Sequence, residues 1–491
     1  MAEIISEIFI GGEWREGRGE VMHSINPSDG SRLFSMRTAS KEDVDDAVKC
    51  ASDALPRWSS MSPEKRAGYL LQMADYLNKN MQKFIDAEVE DAGATVRKAS
   101  ADVMFVIDCI KYFAKEGQRV GFERAEMPQP PMMLTSFVVR EPIGVVGAIT
   151  PWNFPLIEAV WKIFPALIVG NTIVLKPASW TSLSTLHLAK AAEEVKLPKG
   201  VLNVIVGSGG KIGTYLVEHP GVSKITFTGS TEVGRDIYRR SAERIKRITL
   251  ELGGKGASIV LDDADFDIAS DGSIFAAFWH CGQVCIAGSR LIVLEKIYDK
   301  FMSLILEKVE KIKVGNPKDY SSGMGPIVSE QHFKDIMDWI AIGIEEGSEL
   351  LFGGKRVGET GFYIQPTIFE STPDKRIARE EIFGPVLTVL KAKDENDAVR
   401  IANDVIYGLS SSVWSKNIPR ALDVAKKIKA GTVWINEAHL INVRAPFGGY
   451  KQSGVGRELG IEGIKEYTEL KHIAVDMIME RSKKIWYDML F

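Results

Sequence analysis

Two cysteines, Cys281 and Cys285, lie four residues apart in the segment 279–290, "WHCGQVCIAGSR". With His280 they offer three possible zinc ligands, but no CxxC pair or second Cys/His cluster completes a tetrahedral set. A redox pair would normally be CxxC. We therefore expect Cys281 to pack in the interior. We expect Gly282 to end the preceding helix and leave Cys285 in a loop, where a thiol beside its own free backbone N–H would suit a nucleophile.

The sequence around these cysteines alternates strands and helices in the pattern of parallel α/β sheets. Helical spacing of apolar residues predicts helices at 41–55, 63–94, 265–280 and 298–312. β-branched apolar runs predict strands at 145–149, 172–175, 201–206 and 224–228. A second series follows Glu251, with "GASIVLDD", "RLIVLEK", "VLTVLKAKD", "SSSVWS" and "GTVWINE". The sequence predicts two α/β domains, the first a candidate for nucleotide binding.

Glycine-rich turns in the first α/β half could bind phosphate. The segment "GSGGKIG" contains Gly209 and Gly213 after a strand, but its spacing is one residue off the common dinucleotide pattern, so an ordinary glycine turn is equally possible. In "FTGSTEVGR", Gly229 follows a strand and Ser230 can cap a helix whose free N–H groups would hold a pyrophosphate. A plain capping box with Glu232 is the alternative.

Composition excludes several classes of function. The chain has 491 residues, 45% of them hydrophobic and 26% charged, and a formal net charge of −4, which favours neither nucleic acid nor an anionic membrane as partner. The N-terminal segment lacks the pattern of a signal peptide, and apolar stretches are interrupted before membrane-spanning length. Four cysteines in so long a chain do not form a disulfide framework. We expect a cytoplasmic protein.

Seven segments in order along the chain resemble motifs of the aldehyde dehydrogenase superfamily. They are "TPWNFP" (150–155), "LKPAS" (175–179), "FTGSTEVGR" (227–235), "LELGGK" (250–255), "GQVCIAGSR" (282–290), "EEIFGPV" (380–386) and "PFGGYKQSGVGRELG" (446–460). The resemblance implies a Rossmann-like cofactor-binding domain (1–122 and 143–253), a catalytic α/β domain (254–450) and a small bridging extension (123–142 and 451–491). It also implies a homo-oligomer, either a dimer or a tetramer.

The resemblance assigns catalytic roles by position. Cys285 is the nucleophile that attacks the aldehyde carbonyl, and Asn153 is the side-chain donor that joins the Cys285 N–H in an oxyanion hole. Glu251 is the general base that activates water to hydrolyse the thioester. Lys162 and Glu458 match positions of a proton relay, although structural ion pairs remain an equal alternative. No metal is implied.

The resemblance also assigns a dinucleotide site, and one position departs from the usual pattern. NAD-preferring relatives often carry Glu three residues after the ribose-binding lysine, whereas this chain has Ser179. Because a hydroxyl and nearby lysines suit a 2′-phosphate, we expect NADP to be preferred, with NAD possible. The implied cofactor residues are Thr150, Pro151, Trp152, Lys176, Ser179, Gly209, Lys211, Gly213, Gly229, Ser230, Glu381 and Phe383.

The positions that match the substrate tunnel of the family predict a polar tunnel. They are Phe154, Glu158, Trp161, Val284, Ile286, His439, Ile441, Asn442, Arg444 and Phe447. Their polar members favour a small hydroxylated or anionic aldehyde, and within the family the chain resembles the NADP-dependent glyceraldehyde dehydrogenases of archaea. Glyceraldehyde is thus the expected substrate, with lactaldehyde and succinate semialdehyde as alternatives. For Arg444, an ion pair at the rim is an equal alternative.

Two other classes of function remain open. Family members that lose chemistry become structural or binding proteins, but Cys285, Glu251 and Asn153 are all present here. A hydrolase could use the same Cys285 and Glu251 without a redox step, because the thioester half-reaction resembles ester hydrolysis. The cofactor motifs favour the dehydrogenase.

Overall fold

The computed structural model describes residues 3–126 and 134–490. Residues 1–2, 127–133 and 491, which belong to the predicted domain ranges, lie outside the described residues. The N-terminal elements are β1 (Ile8–Ile10), β2 (Glu13–Arg15), β3 (Val21–Ile25), β4 (Arg32–Arg37), α1 (Lys41–Ser59), α2 (Pro63–Lys79), α3 (Met81–Asp91), α4 (Val96–Glu116) and β5 (Phe122–Glu126).

The predicted helix 63–94 is two helices, α2 and α3. The break falls at Asn80, whose backbone N–H closes α2 on the carbonyl oxygens of Tyr76 and Leu77. Side-chain caps start the neighbouring helices: Ser40 and Asp43 form a capping box at α1, and Thr95 caps α4. These caps satisfy backbone N–H groups that a helix start leaves free.

The next segment alternates strands and helices as predicted. Its elements are β6 (Leu134–Pro142), β7 (Val145–Ile149), α5 (Pro155–Ile168), β8 (Thr172–Lys176), α6 (Leu183–Glu194), β9 (Leu202–Val204), α7 (Thr214–Glu218), β10 (Lys224–Thr228), α8 (Thr231–Ala242) and β11 (Arg247–Glu251). Strands β7 to β11 are mutually parallel in the order 9-8-7-10-11. β7, β8 and β10 are buried throughout, which explains their continuous apolar character.

The remaining elements form a second α/β unit and the C-terminal strands. They are β12 (Ala257–Val260), α9 (Phe266–Phe278), β13 (Arg290–Leu294), α10 (Tyr298–Val309), α11 (Glu330–Glu345), β14 (Glu349–Phe352), β15 (Arg356–Val357), β16 (Tyr363–Ile364), β17 (Thr367–Glu370), α12 (Arg376–Arg379), β18 (Val386–Ala392), α13 (Glu395–Asn403), β19 (Ser410–Trp414), α14 (Ile418–Ala425), β20 (Thr432–Ile435), β21 (Gly454–Val455), α15 (Gly460–Lys465) and β22 (Thr468–Asp476).

The described residues form five sheets, of which three have three or more strands. The first has the order β2-β1-β9-β8-β7-β10-β11-β21, and the second has the order β14-β17-β18-β13-β12-β19-β20. The third is an antiparallel sheet, β22-β6-β5. The parallel sheets bear out the predicted α/β class. The predicted domain bounds stay a prediction, and β21 pairs with β11 in the first sheet rather than with the strands of the extension.

The parallel strands of the first sheet end at the site. β7 and β10 end at residues 149 and 228, shortly before Asn153 and Ser230, and β11 ends at Glu251 itself. Ligands of open α/β sheets bind beyond these carboxyl ends. Among the helices of residues 3–126 and 134–490, none combines the length and apolar character needed to cross a membrane.

Candidate active site

The loop that carries Cys285 begins with a strained turn. α9 ends at Phe278, two residues before the end of the predicted helix 265–280. His280, Cys281 and Gly282 have φ angles of 49°, 57° and 67°, a left-handed run that no α-helix can include. Such strain persists only where the surroundings hold it. The turn brings the chain sharply from α9 toward the site.

The two cysteines occupy different environments, as predicted. Cys281 is buried, and its Sγ donates to the carbonyl oxygen of Gly325 at 3.1 Å. Cys285 is partly exposed and lines two cavities, of about 570 and about 230 Å³. Within the described part of the chain, no group of three His, Cys, Asp or Glu side chains is placed to hold a metal ion.

The electrostatics around Cys285 disfavour its thiolate. Removal of water around the sulfur raises the pKa of Cys285 well above its ordinary value, and the carboxyl groups of Glu158, Glu381 and Glu251 raise it further. The thiol is therefore protonated at neutral pH in the free protein. A reaction that uses the thiolate must remove this proton or reduce the negative charge nearby.

Asn153 lies at the start of α5 and borders the 570 Å³ cavity with Cys285. Its Nδ2 donates to the carbonyl oxygen of Gln283 at 2.9 Å. Gln283 is itself held by two bonds: its Nε2 donates to the carbonyl oxygen of His280, and its Oε1 accepts from the N–H of Val328. The amide of Asn153 is thus oriented within the loop that carries the thiol.

Glu251, the last residue of β11, is buried, and its carboxyl group lines neither of the cavities that reach Cys285. Among residues 3–126 and 134–490, neither carboxyl oxygen finds a hydrogen-bond partner. Burial and the neighbouring carboxyl groups of Glu458 and Glu158 raise its pKa well above the ordinary value. A Cβ at Gly448 would come within 2.6 Å of the Glu251 Oε1, so glycine at this position makes room for the carboxyl group.

Lys162 is the centre of a buried polar cluster. Its Nζ donates to Glu158 at 2.8 Å, to Glu458 at 2.9 Å and to the hydroxyl of Thr228 at 2.7 Å. The two carboxylates raise the pKa of Lys162, although burial opposes them. Burial raises the pKa of Glu458 to about 7, close to the range in which a proton relay works. Glu158, predicted to line the substrate tunnel, also belongs to this cluster.

A third cavity, of about 1070 Å³, follows the carboxyl ends of the first sheet. It shares Pro151, Trp152, Gly229 and Ser230 with the cavity of Cys285, so the two are continuous. The predicted cofactor residues that line it are Thr150, Pro151, Trp152, Lys176, Ser179, Gly209, Lys211, Gly213, Gly229 and Ser230. The remaining two, Glu381 and Phe383, line the cavity beside Cys285.

Four features of this cavity fit a dinucleotide. The side chain of Ser230 caps α8 by accepting from the N–H of Val233, as predicted, so the start of that helix faces the cavity. The buried hydroxyl of Thr150 has no hydrogen-bond partner in the described part of the chain. Lys176 is a buried cation whose Nζ donates to two carbonyl oxygens, and burial lowers its pKa to about 8. Glycines at 209 and 210 leave open space for close approach.

Glu381 lines the cavity beside Cys285. Its Oε1 accepts from the N–H of Gly254 at 2.8 Å, and a Cβ at Gly253 would come within 2.2 Å of its other oxygen. Burial raises its pKa to about 7. Phe383 packs edge-on against Trp152, with ring centroids 5.3 Å apart. These contacts hold both side chains toward Cys285.

The 230 Å³ cavity beside Cys285 is largely aromatic and includes eight of the ten predicted tunnel positions. They are Phe154, Glu158, Trp161, Val284, Ile286, His439, Ile441 and Phe447. Asn442 and Arg444 do not line it. Both are exposed, and Oδ1 of Asn442 accepts from the N–H of Arg444 in a local turn. The predicted polar tunnel thus loses two of its four polar members.

Residues outside the predicted tunnel positions also line the 230 Å³ cavity. Asp102 and Phe105 reach the cavity from α4, three residues apart on one helix face. Asp102 pairs with buried Lys98 at 2.6 Å, and the ammonium of Lys98 lies 3.9 Å from the ring centre of Phe154. The i,i+4 spacing of Lys98 and Asp102 predicts their ion pair. The sequence around them does not indicate that the pair borders this cavity.

A partly exposed cysteine that lines a cavity continuous with one large enough for a dinucleotide is the arrangement expected of an NAD(P)-dependent aldehyde dehydrogenase. The chain belongs to the aldehyde dehydrogenase family, whose model matches residues 14–473. It is 42% identical over 474 residues to a betaine aldehyde dehydrogenase of Bacillus subtilis, covering 95% of this chain and 96% of that one. It is likewise 42% identical over 470 residues to an aldehyde dehydrogenase of Emericella nidulans, covering 95% and 94%.

The structure also matches solved members of the family. A betaine aldehyde dehydrogenase from Staphylococcus aureus in complex with NAD⁺ superposes with a TM-score of 0.94 at 39% identity, covering 97% of this chain and 95% of that chain. The predicted fold and the prediction of an NAD(P)-dependent aldehyde dehydrogenase are confirmed. The finer resemblance to glyceraldehyde dehydrogenases is not shown, because the relatives named here are betaine aldehyde dehydrogenases or plain aldehyde dehydrogenases.

Proposed function

We propose that the protein oxidises a small aldehyde to its carboxylic acid through a covalent thioester on Cys285. The observation that carries this proposal is the position of Cys285, which lines both the aromatic cavity and the cavity that continues into the dinucleotide site. A bound nicotinamide dinucleotide supplies the hydride acceptor. Lys176, Ser230 and Glu381 are the side chains we propose to hold it.

Cys285 performs the first bond-forming step. Once a neighbouring carboxylate has taken the proton of the thiol, the thiolate attacks the aldehyde carbon and forms a thiohemiacetal, whose oxygen takes up negative charge. The amide of Asn153 and the backbone N–H of Cys285 donate to this oxygen, a type of contact that lowers a barrier by about 3 to 4 kcal/mol. Loss of hydride from the same carbon leaves a thioester.

Glu251 acts in the second half of the reaction. As a general base it takes a proton from the water that attacks the thioester, and the acid leaves with release of the thiol. Its carboxyl group is buried, and it is close enough to Cys285 to raise the pKa of the thiol. Glu251 interacts electrostatically with the buried cluster of Lys162, Glu158 and Glu458. We propose that Glu458 passes the proton onward.

We propose that NADP is accepted and preferred, although NAD⁺ is the cofactor in the Staphylococcus aureus complex. Ser179 and Lys211 both line the dinucleotide cavity, and the Oγ of Ser179 donates to the carbonyl oxygen of Gly207 at 2.8 Å. In Ser179→Glu, the new carboxylate would repel the 2′-phosphate, and the hydrogen bond from the serine hydroxyl to that phosphate would be lost. Each effect would weaken NADP binding by about 1–3 kcal/mol. The kcat/KM for NADP should fall while that for NAD holds or rises. Equal losses with both cofactors would contradict this assignment.

For the substrate, the aromatic cavity supports a compact cationic aldehyde such as betaine aldehyde. Phe105, Phe154, Trp161, Trp279 and Phe447 surround it, and aromatic faces attract quaternary ammonium groups. The carboxyl groups of Asp102 and Glu158 add negative charge, each paired with a lysine through one oxygen only. The relatives named betaine aldehyde dehydrogenase agree with this choice.

Glyceraldehyde is the second candidate, because its hydroxyls can donate to the same two carboxylates. The test compares kcat/KM for betaine aldehyde with that for 3,3-dimethylbutanal, its uncharged isostere, and for glyceraldehyde with that for propanal. A cationic site predicts a preference of about tenfold in the first pair. A preference only in the second pair favours glyceraldehyde. Turnover of an ester without added dinucleotide, and no oxidation of any aldehyde, would instead indicate the hydrolase.

We further propose that the protein is a cytoplasmic homo-oligomer that assembles through the third sheet. Phe122, Leu470 and Ile473 expose apolar side chains on strands β5 and β22 of this sheet. All four cysteines are free, which suits a reducing compartment. Light scattering on the purified protein would distinguish a dimer from a tetramer and would contradict the proposal if it gave a monomer.

A further inference from the structure

The wall of the dinucleotide cavity carries an ion pair between distant parts of the chain. The Nζ of Lys211 lies 2.6 Å from Oε1 of Glu20, and both residues line the cavity together with Ser179. Ser179 is tied to the turn of Lys211 because it bonds to Gly207, four residues before the lysine. The pair therefore borders the part of the cavity that we propose for the 2′-phosphate.

The backbone holds both partners in place, although their side chains are exposed. The carbonyl oxygen of Glu20 accepts from both the N–H and the hydroxyl of Thr38, at 2.8 and 3.1 Å. The N–H of Lys211 donates to the hydroxyl of Ser208 at 3.3 Å. The ion pair lowers the pKa of Glu20 and raises that of Lys211, so both side chains are charged at neutral pH.

We propose that Glu20 is a specificity-determining residue that weakens the binding of NADP relative to NAD by holding the ammonium group of Lys211. A 2′-phosphate adds a second anionic group that must compete with the Glu20 carboxylate for the same cation. NAD makes no such demand, because its ribose hydroxyl is neutral. The inference rests on the proposed use of Lys211 for the 2′-phosphate.

The test measures dissociation constants for NADP⁺ and NAD⁺ by calorimetry on the full-length protein. Removing the charge in Glu20→Gln should tighten NADP⁺ by about two- to fivefold, the range expected for one exposed ion pair, and leave NAD⁺ unchanged. Charge reversal in Glu20→Lys should give a larger gain. In a Lys211→Met background, Glu20→Gln should have no effect on NADP⁺, because the cation that Glu20 holds is gone.

The matched control is Glu13→Gln, because Glu13 and Lys199 form an equally exposed pair at 2.7 Å that does not line the dinucleotide cavity. An unchanged NADP⁺ constant in Glu20→Gln would overturn the inference. An equal gain with and without Lys211 would also overturn it, because Glu20 would then act on the phosphate directly. The binding measurement does not require turnover. If the protein oxidises no aldehyde with NADP but Glu20→Gln still tightens NADP⁺ binding, the proposed function is contradicted and this inference stands.

Discussion

The side-chain amide of Asn153 donates to the carbonyl oxygen of Gln283 at 2.9 Å, two residues before Cys285, the proposed nucleophile. The donor proposed for the oxyanion is thus already engaged with the loop of the thiol. This contact keeps the amide beside the sulfur and orients the loop at the same time.

Asn153→Ala should therefore lower kcat for aldehyde oxidation by about 10² to 10³. The lost bond to the loop should also reduce stability, by about 1 kcal/mol. Thermal unfolding and calorimetric binding of the dinucleotide separate the two effects. If kcat falls less than tenfold while the protein stays folded, the amide does not stabilise the oxyanion.

The two cysteines should differ sharply when each is replaced. Cys285→Ser should abolish oxidation and keep dinucleotide binding, because a serine hydroxyl is a much weaker nucleophile than a thiolate. Cys281→Ala should keep most activity, because the Cys281 thiol is buried and bonded to a backbone carbonyl. Steady-state rates and calorimetry measure both. Comparable losses of activity in the two variants would indicate a paired role.

Glu251→Gln should separate the two halves of the reaction. If Glu251 serves hydrolysis of the thioester, the variant should still release a burst of reduced cofactor, about one per site, before turnover stalls. Stopped-flow absorbance at the nicotinamide band records the burst. Absence of a burst would assign Glu251 to an earlier step, formation of the thiolate.

The carboxyl groups around Cys285 make its reactivity dependent on pH. Because they and burial raise the pKa of Cys285, alkylation by iodoacetamide should be slow at neutral pH and should accelerate as pH rises toward the raised pKa. Glu158→Gln removes one negative charge, so the pKa should fall and the alkylation profile should shift to lower pH. The control is Glu232→Gln, because Glu232 carries an exposed carboxylate on α8. A profile that is the same in Glu158→Gln and the control would contradict this electrostatic account.

The sequence alone was sufficient for the features that depend on local patterns. Continuous β-branched runs predicted strands such as Val145–Ile149 and Lys224–Thr228 to the residue, because a strand covered on both faces leaves no place for polar side chains. Ser230 was predicted as a helix cap, and its side chain does accept from Val233. The distinction between Cys285 and Cys281 also followed from the loop chemistry of a short segment.

Tertiary structure decided the features that depend on distant partners. Asn442 and Arg444 were predicted to line the tunnel, but a local turn exposes both, and Asp102 on α4 borders the aromatic cavity instead. α9 ends at Phe278 because three left-handed residues can be held there by packing that no short window of sequence contains. Glu20 and Lys211 lie 191 residues apart and meet only because the fold brings a hairpin beside a glycine turn. Side-chain pairing over such separations depends on packing geometry, which residue types along the chain do not specify.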